Sequence, residues 1–501
     1  MEYTSTRNDE IKVTSAKAIA QGISDDGGLF VPCELPSITL ADIKTLSEKS
    51  YPEIANYVLS QYLTDFSEAE IHYCTNGAYE SGNFETENVI ELASLFDKDF
   101  GCYMLELWHG PTCAFKDMAL QILPYLLTTS IKKQNIDKKV VILVATSGDT
   151  GKAALEGFKD VSGTDILVFY PVDGVSNMQK RQMITQEGDN VGVCAIKGNF
   201  DDAQTGVKKI FTDAEIKATL SENGYLFSSA NSINWGRLLP QIVYYIASYA
   251  KLVKNEEIAL GDKINICVPT GNFGNILAAY YAKHMGLPVN KLICASNSNN
   301  VLTDFLTDGV YDRNRRFYTT ISPSMDILIS SNLERLLYDL SGKNDEYIRT
   351  IYKSLAETGR FEVSEEIKSK LNAEFSGGFA TEEETKLAIS EAEKTYGYVM
   401  DTHTAVAYSV YKKYAEATGD RTKTVIASTA NPYKFPAAVL EALGCEKIPS
   451  DDFELLDALH DASGMSIPAS LGALKTKAPR FEGSVSKDEM LGFIYTALNV
   501  K

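Results

Sequence analysis

Apolar runs and helical patterns alternate along the middle of the chain, from about residue 100 to about residue 300. Short, continuous apolar runs indicate buried parallel strands, because such strands are covered on both faces. These runs are Val140–Ala145, Ile166–Tyr170, Val191–Ile196, Ile264–Val268 and Leu292–Ala295. Helical patterns lie between them, near 118–133, 151–159, 176–186, 202–216, 236–253 and 275–285. The alternation predicts an α/β fold with open, doubly wound sheets, in which ligands bind outside the carboxyl ends of the strands.

Different patterns flank this region. Residues 1–95 carry helical patterns at 40–63 and 67–79, which predict a small N-terminal helical domain. A helical insertion at about 323–415 is predicted by consecutive patterns at 323–341, 344–358, 363–374, 381–395 and 402–416. A last apolar run, Thr424–Ser428, returns to the sheet. We therefore expect an N-terminal domain, a main region over 96–450 and a mixed C-terminal segment over 451–501.

The stretch Trp108–Asp117 places a lysine between a strand and a helix. The apolar run Cys102–Leu107 predicts the strand, Gly110-Pro111 ends it, and a helical pattern begins at Asp117. Lys116 therefore lies in a loop held by regular elements, where catalytic groups are commonly found. Apolar neighbours lower the pKa of a lysine and make its amine nucleophilic. Taken alone, a lysine at this position is more often a solvated residue at a helix start.

The loop Ala145–Lys152 (Ala-Thr-Ser-Gly-Asp-Thr-Gly-Lys) joins a predicted strand to a predicted helix. Small residues with free N–H groups at a helix N-terminus form an anion site. The loop is not a Walker A motif, because Thr146 replaces its first glycine and Ala153 replaces its final Ser or Thr. A carboxylate suits the loop better than a triphosphate, and an ordinary turn is the alternative.

A second loop, Pro269–Asn275 (Pro-Thr-Gly-Asn-Phe-Gly-Asn), also precedes a predicted helix. Gly271 and Gly274 allow close approach of the backbone, and the helix directs its positive end at the loop. The dinucleotide pattern G-x-G-x-x-G is absent. A single phosphate monoester therefore fits this loop.

Two further stretches carry polar groups near strand ends. Ser428–Asn431 offers hydroxyls that bind a ring nitrogen or cap the following segment. Ser229–Arg237 contains Asn234 and Arg237. Arginine suits forked recognition of phosphate or carboxylate, although a single arginine that opens a helix is often a surface cation.

The composition excludes several classes of function. The chain has 48 basic and 67 acidic residues and a net charge of -19, which disfavours nucleic acid or an anionic membrane as a partner. No apolar run has the length of a membrane span, and the N-terminus has no apolar signal core. The eight cysteines form no C-x-x-C pair and the five histidines show no metal-ligand spacing. These features predict reduced cysteines, a cytoplasmic location and no metal site.

Together, a reactive lysine, a phosphate loop and a carboxylate loop on an α/β sheet match the needs of pyridoxal phosphate. The chain also resembles the threonine synthase family. The resemblance rests on motifs that run in order along the chain: Ser5–Arg7, Asp26–Pro32, His109–Asp117, Ala145–Gly151, Asn231–Arg237, Gly271–Asn275 and Ser428–Ala430.

The resemblance implies a fold-type II, tryptophan synthase β-like enzyme with two α/β domains around pyridoxal phosphate. Lys116 matches the family's Schiff-base lysine, and Thr429 matches the hydroxyl that faces the pyridine nitrogen. The implied phosphate loop of the cofactor is Gly271, Asn272, Phe273, Gly274 and Asn275. The loop implied for the substrate α-carboxylate is Thr146, Ser147, Gly148, Asp149 and Thr150. Arg237, with Asn234 beside it, is carried over for the substrate phosphate.

The implied reaction converts O-phospho-L-homoserine and water to L-threonine and phosphate, by γ-elimination and β-addition of water. Threonine dehydratase and cysteine synthase share the lysine but lack a second phosphate site. A protein that only binds a phosphorylated amino acid, or a nucleotide-binding protein, is the alternative from a different class. The absence of the Walker A and G-x-G-x-x-G motifs disfavours a nucleotide-binding protein. The sequence leaves open whether the protein is a monomer or a homodimer.

Overall fold

The N-terminal part combines a small sheet with helices. The computed structural model describes residues 1–80, 82–96, 101–146, 148–172 and 175–500. The first elements are β1 (Tyr3–Ser5), β2 (Asn8–Val13), α1 (Ser15–Gln21), β3 (Phe30–Pro32), α2 (Leu40–Leu46), α3 (Tyr51–Tyr62) and α4 (Glu68–Tyr79). The three strands form an antiparallel sheet in the order β2-β1-β3. The sequence analysis did not predict this sheet, because two of its strands have only three residues.

Capping residues divide the helical pattern predicted at 40–63. Thr39 caps α2 in a capping box with Asp42. Ser50 begins α3 in a second capping box, and Pro52 occupies its first turn. Two helices therefore form where the apolar periodicity predicted one.

The chain next builds two sheets with intervening helices. Its elements in order are β4 (Glu91–Phe96), β5 (Gly101–Glu106), α5 (Asp117–Leu120), α6 (Leu123–Lys133), β6 (Lys139–Ala145), α7 (Asp149–Phe158), β7 (Thr164–Pro171), α8 (Asn177–Ile184), β8 (Val191–Ile196), α9 (Phe200–Thr212), α10 (Ala214–Glu222), β9 (Tyr225–Ser228) and α11 (Trp235–Lys254). Every strand predicted here from an apolar run is present.

The remaining elements complete the first sheet and add a C-terminal segment. They are β10 (Ile264–Pro269), α12 (Gly274–Met285), β11 (Val289–Ser296), α13 (Val301–Asp308), β12 (Val310–Asp312), α14 (Leu333–Leu340), α15 (Asp345–Thr358), β13 (Arg360–Glu362), α16 (Glu365–Glu374), β14 (Phe375–Phe379), α17 (Glu382–Tyr396), α18 (Thr402–Thr418), β15 (Thr424–Ser428), α19 (Pro436–Ala442), α20 (Asp452–Ser463), α21 (Ala469–Gly472), β16 (Ser484–Val485) and α22 (Met490–Leu498).

Both main sheets are doubly wound, as predicted. One has the order β14-β11-β10-β15-β5-β4, and the other has the order β16-β8-β7-β6-β9. All neighbouring strands are parallel except the β4–β5 pair, which is antiparallel at the edge of the first sheet. β4 joins this sheet although all of its residues except Phe96 lie in the range predicted for the N-terminal domain.

The predicted helical insertion is less regular than its sequence pattern. The pattern at 323–341 yields a single 3-10 turn, Pro323–Met325, and the helix α14. β14 pairs in parallel with β11 and so belongs to the main sheet. Its sequence, Phe-Ser-Gly-Gly-Phe, has the low β-propensity that hides a strand from pattern analysis.

Helix α11 joins the N-terminal part to the main region. Almost all of its residues are buried, including Trp235 at its start. The Trp235 ring contacts the rings of Tyr3, Tyr62 and Tyr281, with centroids 5.5, 5.7 and 5.8 Å away. These contacts fix the start of α11, and with it Arg237, against three different elements.

Candidate active site

Three of the predicted stretches meet because they follow adjacent parallel strands. β15 lies between β5 and β10, with Ser428 opposite Glu106 and Ile426 opposite Cys267. The loops that leave the carboxyl ends of these strands therefore share one edge of the sheet, which is where open α/β sheets bind ligands. The Phe115 N–H donates to the Thr429 carbonyl at 2.8 Å. Lys116 consequently lies next to Thr429.

Lys116 has few polar contacts in a mostly buried position. Its side chain is 11% exposed, and Nζ lies 3.8 Å from Oδ2 of Asp149. Nζ also donates to Oγ of Ser324 at 3.3 Å. Burial lowers the pKa of this amine to about 8, with Arg237 and Lys434 acting in the same direction and Asp149 opposing them. The amine is thus deprotonated more readily than an ordinary lysine.

Ser324, which the sequence analysis did not single out, joins Lys116 to the loop at 271–275. A Cβ on Gly271 would lie 2.6 Å from the Ser324 carbonyl oxygen, so only glycine fits there. The Ser324 N–H donates to Nε2 of His403 at 3.1 Å, and Nδ1 of His403 lies 3.0 Å from Asp401 Oδ1. Lys116 and the loop at 271–275 therefore belong to one site.

The loop at 271–275 has the features of an anion site. Phe273 adopts a left-handed conformation (φ 63°) directly before α12. Leu277 N–H donates to the Phe273 carbonyl at 3.0 Å, which leaves the N–H groups of residues 274–276 without an acceptor inside the helix. Asn275 accepts hydrogen bonds from the Tyr244 and Tyr245 hydroxyls, and its buried Nδ2 has no partner among the described residues.

A neighbouring segment holds this loop from outside. The Gly271 carbonyl accepts from Oγ of Ser330 at 2.7 Å. The Asn272 carbonyl accepts from the backbone N–H and from Nδ2 of Asn332, both at 3.0 Å. The Asn272 side chain itself is exposed. The loop is therefore fixed through its carbonyl groups, and its N–H groups remain available to a ligand.

The loop at 146–150 is shaped by its own hydroxyl. Oγ1 of Thr146 accepts from the N–H groups of Gly148 at 3.0 Å and Gly151 at 2.9 Å. This hydroxyl stabilises the turn, so ligand donors must come from the residues around it. Thr150 is half-buried at the first turn of α7, and Ser147 lies outside the described residues. Gly148 has φ 139°, and a Cβ there would meet Gln179 at 2.3 Å.

Asp149, in the same turn, is buried and ionised. Its Oδ1 lies 3.0 Å from Lys434 Nζ and accepts from Nε2 of Gln179 at 3.0 Å. Burial raises the pKa of this carboxyl, but Lys434 and Lys116 outweigh burial and hold the pKa well below its ordinary value. Lys434 was missed by the sequence analysis, since nothing in Asn-Pro-Tyr-Lys-Phe-Pro signals a buried cation.

The side chains of Asn234 and Arg237 differ in how far their hydrogen-bonding groups are already occupied. Nδ2 of Asn234 donates to the Ile19 and Ser229 carbonyls, and Oδ1 accepts from the Gly236 N–H and so caps α11. These bonds occupy the amide, so we leave Asn234 out of the proposed substrate site. Arg237 is buried and donates to the Ala230 carbonyl at 2.7 Å. No described carboxylate pairs with it, and burial lowers its pKa to about 10.

Family models cover most of the chain. Models described as "Threonine synthase N terminus", "Pyridoxal-phosphate dependent enzyme" and "Threonine synthase, C-terminal" match residues 2–79, 87–430 and 404–483. A threonine synthase of Pseudomonas aeruginosa is 36% identical over 458 residues, which is 91% of this chain and 93% of that protein. The chain belongs to the threonine synthase family.

Other members of the threonine synthase family resemble this chain in sequence and in structure. The structure of pyridoxal-phosphate-bound threonine synthase from Brucella melitensis is 36% identical, with a TM-score of 0.87 over 99% of this chain and 98% of that chain. Human threonine synthase-like 1 is 40% identical over 444 residues, which is 86% of this chain. The chain spans only 58% of the length of that human relative.

Metal-ligand clusters and membrane-spanning helices are absent from the part of the chain that the structure describes. No group of three His, Cys, Asp or Glu side chains there is arranged to hold a metal ion. None of the described helices is both long enough and apolar enough to cross a membrane.

Proposed function

We propose that the chain is a threonine synthase that converts O-phospho-L-homoserine and water to L-threonine and phosphate. The observation that carries this proposal is the pairing of a buried arginine and a reactive lysine in one site. Arg237 has no carboxylate partner among the described residues, yet it is close enough to Lys116 to lower the pKa of that amine. A buried cation without an anionic partner is costly, and a substrate phosphate would supply that partner.

The residues around Lys116 fit pyridoxal phosphate. The N–H groups of residues 274–276 and the unpartnered Nδ2 of Asn275 suit its phosphate. Thr429 offers a hydroxyl for the ring nitrogen, and Lys116 offers an amine for covalent attachment. When bound, the cofactor supplies the electron sink that carbanion chemistry requires. Gly271 and Asn272 fix the loop, and Phe273 sets the start of its helix.

The protein side chains then supply binding and proton transfer. We assign the transfer of protons at the substrate Cα and Cβ to the Lys116 amine, because its lowered pKa suits a general base near neutral pH. The N–H groups of Asp149 and Thr150 and the Thr150 hydroxyl suit the substrate carboxylate. The Phe115 ring lies beside the Lys116 amine, with its centroid 5.8 Å from Nζ, and the Trp108 indole N–H donates to Ser428 Oγ at 3.1 Å.

Trapping the cofactor on its lysine tests the cofactor assignment. The purified protein, loaded with pyridoxal phosphate, is reduced with borohydride, digested and analysed by mass spectrometry. We expect the cofactor on the peptide that contains Lys116, and no label in the Lys116→Ala variant. A label on another lysine, or normal turnover by Lys116→Ala, would contradict the assignment.

A panel of substrates tests the reaction. O-phospho-L-homoserine, O-phospho-L-serine, O-acetyl-L-serine and L-threonine are supplied separately, and the products are identified. Threonine from the first compound supports the proposal. Reaction of O-acetylserine alone indicates cysteine synthase, and 2-oxobutanoate from threonine indicates a dehydratase. Binding of O-phospho-L-homoserine without any product indicates a protein that only binds it.

Three further features rest on the sequence alone. Domain limits near residues 95 and 450, a cytoplasmic location and the absence of nucleic-acid partners remain predictions from pattern and charge. Limited proteolysis of the purified chain would test the domain limits.

A further inference from the structure

Lys434 lies behind the candidate site in a fully enclosed position. It follows β15, in the 3-10 turn Pro432–Lys434, and its side chain has no exposed surface. Nζ donates to Oε1 of Gln182 at 2.6 Å and to the Thr112 carbonyl at 3.2 Å, and it lies 3.0 Å from Asp149 Oδ1. Its three N–H groups therefore have three acceptors, which is what holds a buried ammonium ion in place.

Lys434 and Lys116 share one carboxylate unequally. Lys434 lies close to Oδ1 of Asp149, and Lys116 lies 3.8 Å from Oδ2. Apart from Asp149, Lys116 contacts only the Ser324 hydroxyl among the hydrogen bonds of the described residues. Lys434 is thus held rigidly, and Lys116 is left able to exchange partners.

The negative charge of Asp149 requires a neighbouring cation, and Lys434 supplies it. Asp149 stands at the first turn of α7, in the loop proposed to receive a substrate carboxylate. If no cation neutralised the Asp149 carboxylate, it would repel the substrate carboxylate and would interact more strongly with Lys116. Gln179 and Gln182, both on α8, support the pair by contacting Asp149 and Lys434 respectively.

We propose that Lys434 is a positioning residue that fixes Asp149, balances its charge and thereby leaves Lys116 reactive. Lys434 acts through Asp149 and by its charge, without touching a substrate. This inference deepens the proposed function, since it concerns the amine assigned to catalysis. Its test, however, measures that amine directly and needs neither substrate nor turnover.

The test measures how fast Lys116 is acetylated across a range of pH in the full chain freed of cofactor, by peptide mass spectrometry. In Lys434→Met, Lys116 loses a neighbouring positive charge. Its interaction with the Asp149 carboxylate then becomes stronger, because Lys434 no longer competes for that carboxylate. We expect the midpoint of its pH profile to rise by about one unit. Lys434→Arg keeps the charge, and its profile should stay near that of the parent protein.

Lys152→Met is the matched control. Lys152 is also a buried lysine, on α7, but its partners are Glu156 and Gln186. Its removal should leave the Lys116 midpoint in place. Circular dichroism verifies folding, and Lys434→Gln, which keeps an amide donor for Gln182 or Thr112, replaces Lys434→Met if that variant does not fold.

A double-variant cycle tests the route through Asp149. In an Asp149→Asn background, removal of Lys434 should shift the midpoint by less than half as much, because only direct repulsion remains. An unchanged midpoint in folded Lys434→Met, or an equal shift in Lys152→Met, would overturn the proposal. Absence of threonine formation together with the expected shift would refute the proposed reaction and leave this inference standing.

Discussion

The backbone N–H of Phe115 donates to the carbonyl of Thr429 across 2.8 Å. This bond joins the turn that carries Lys116 to the end of β15, and an isolated bridge between Ala114 and Ala430 extends the contact. These contacts join the two segments through backbone atoms, and the side chain of Thr429 takes no part in them. Substitutions of the Thr429 side chain can therefore be made without moving Lys116.

Thr429→Val should weaken the cofactor site and leave the fold intact. Valine keeps the shape of threonine but lacks the hydroxyl proposed to face the ring nitrogen. Loss of one hydrogen bond of about 1 kcal/mol weakens binding about fivefold. Fluorescence titration with pyridoxal phosphate measures this change. Thr429→Ser is the control and should bind normally, whereas normal binding by Thr429→Val would remove the hydroxyl from the site.

The reactivity of Lys116 should rise with pH around a midpoint near 8. Its pKa is lowered to about 8, chiefly by burial, so the neutral amine forms above that pH and the charged form predominates below it. The rate of acetylation in the cofactor-free protein should therefore increase through this range and then level off. A midpoint near the ordinary lysine value of about 10.4 would show that the site does not lower this pKa.

Arg237→Gln should raise KM for the phosphorylated substrate. Loss of charge-assisted bonds to a phosphate costs about 1.5–3 kcal/mol, or about 10- to 150-fold in kcat/KM. Steady-state kinetics with O-phospho-L-homoserine measures the effect.

Arg335→Gln is the matched control for Arg237. Arg335 is equally buried but donates to the Phe30 and Ile233 carbonyls and to Asn332. We expect its loss to lower the melting temperature more than the affinity for substrate. An unchanged KM in Arg237→Gln would place the substrate phosphate elsewhere.

Two substitutions of Asn275 should separate its structural role from its binding role. Asn275→Ala leaves the Tyr245 hydroxyl without its acceptor and should lower the free energy of unfolding by about 2 kcal/mol. Asn275→Asp keeps an acceptor but places a carboxylate in the phosphate loop, so it should fold and bind the cofactor at least about tenfold more weakly. Denaturant unfolding and cofactor titration measure the two effects. Equal cofactor affinity in Asn275→Asp and the parent protein would contradict the assignment of this loop.

Apolar runs predicted the interior of the sheets well and their edges poorly. β8 and β15 have the bounds expected from Val191–Ile196 and Thr424–Ser428, because buried parallel strands are apolar throughout. No apolar run predicted β14 or β9, since an edge strand needs fewer apolar residues, although Ser229–Arg237 was placed near a strand end. Helix caps such as Ser50 were overlooked for a different reason, because apolar periodicity continues across them.

The parts of the site that could be predicted from the sequence are those whose functional groups lie together in one loop. The turn at Lys116 and the loop at 271–275 carry local signals, and the structure brings them together through Ser324. Lys434 and Ser324 carried no such signal, because their roles depend on Asp149 and Lys116, which are distant in sequence. Asn234 caps α11 with its side chain, a role that its place beside an arginine in the sequence did not indicate.

The fate of oxygen tests the proposed reaction most directly. O-phospho-L-homoserine is incubated with the cofactor-loaded protein in ¹⁸O-labelled water, and both products are analysed by mass spectrometry. If the Cγ–O bond breaks and water adds at Cβ, threonine carries one ¹⁸O atom and the phosphate carries none. Labelled phosphate together with homoserine would show hydrolysis of the phosphate ester instead, and would contradict the assignment of this chain as a threonine synthase.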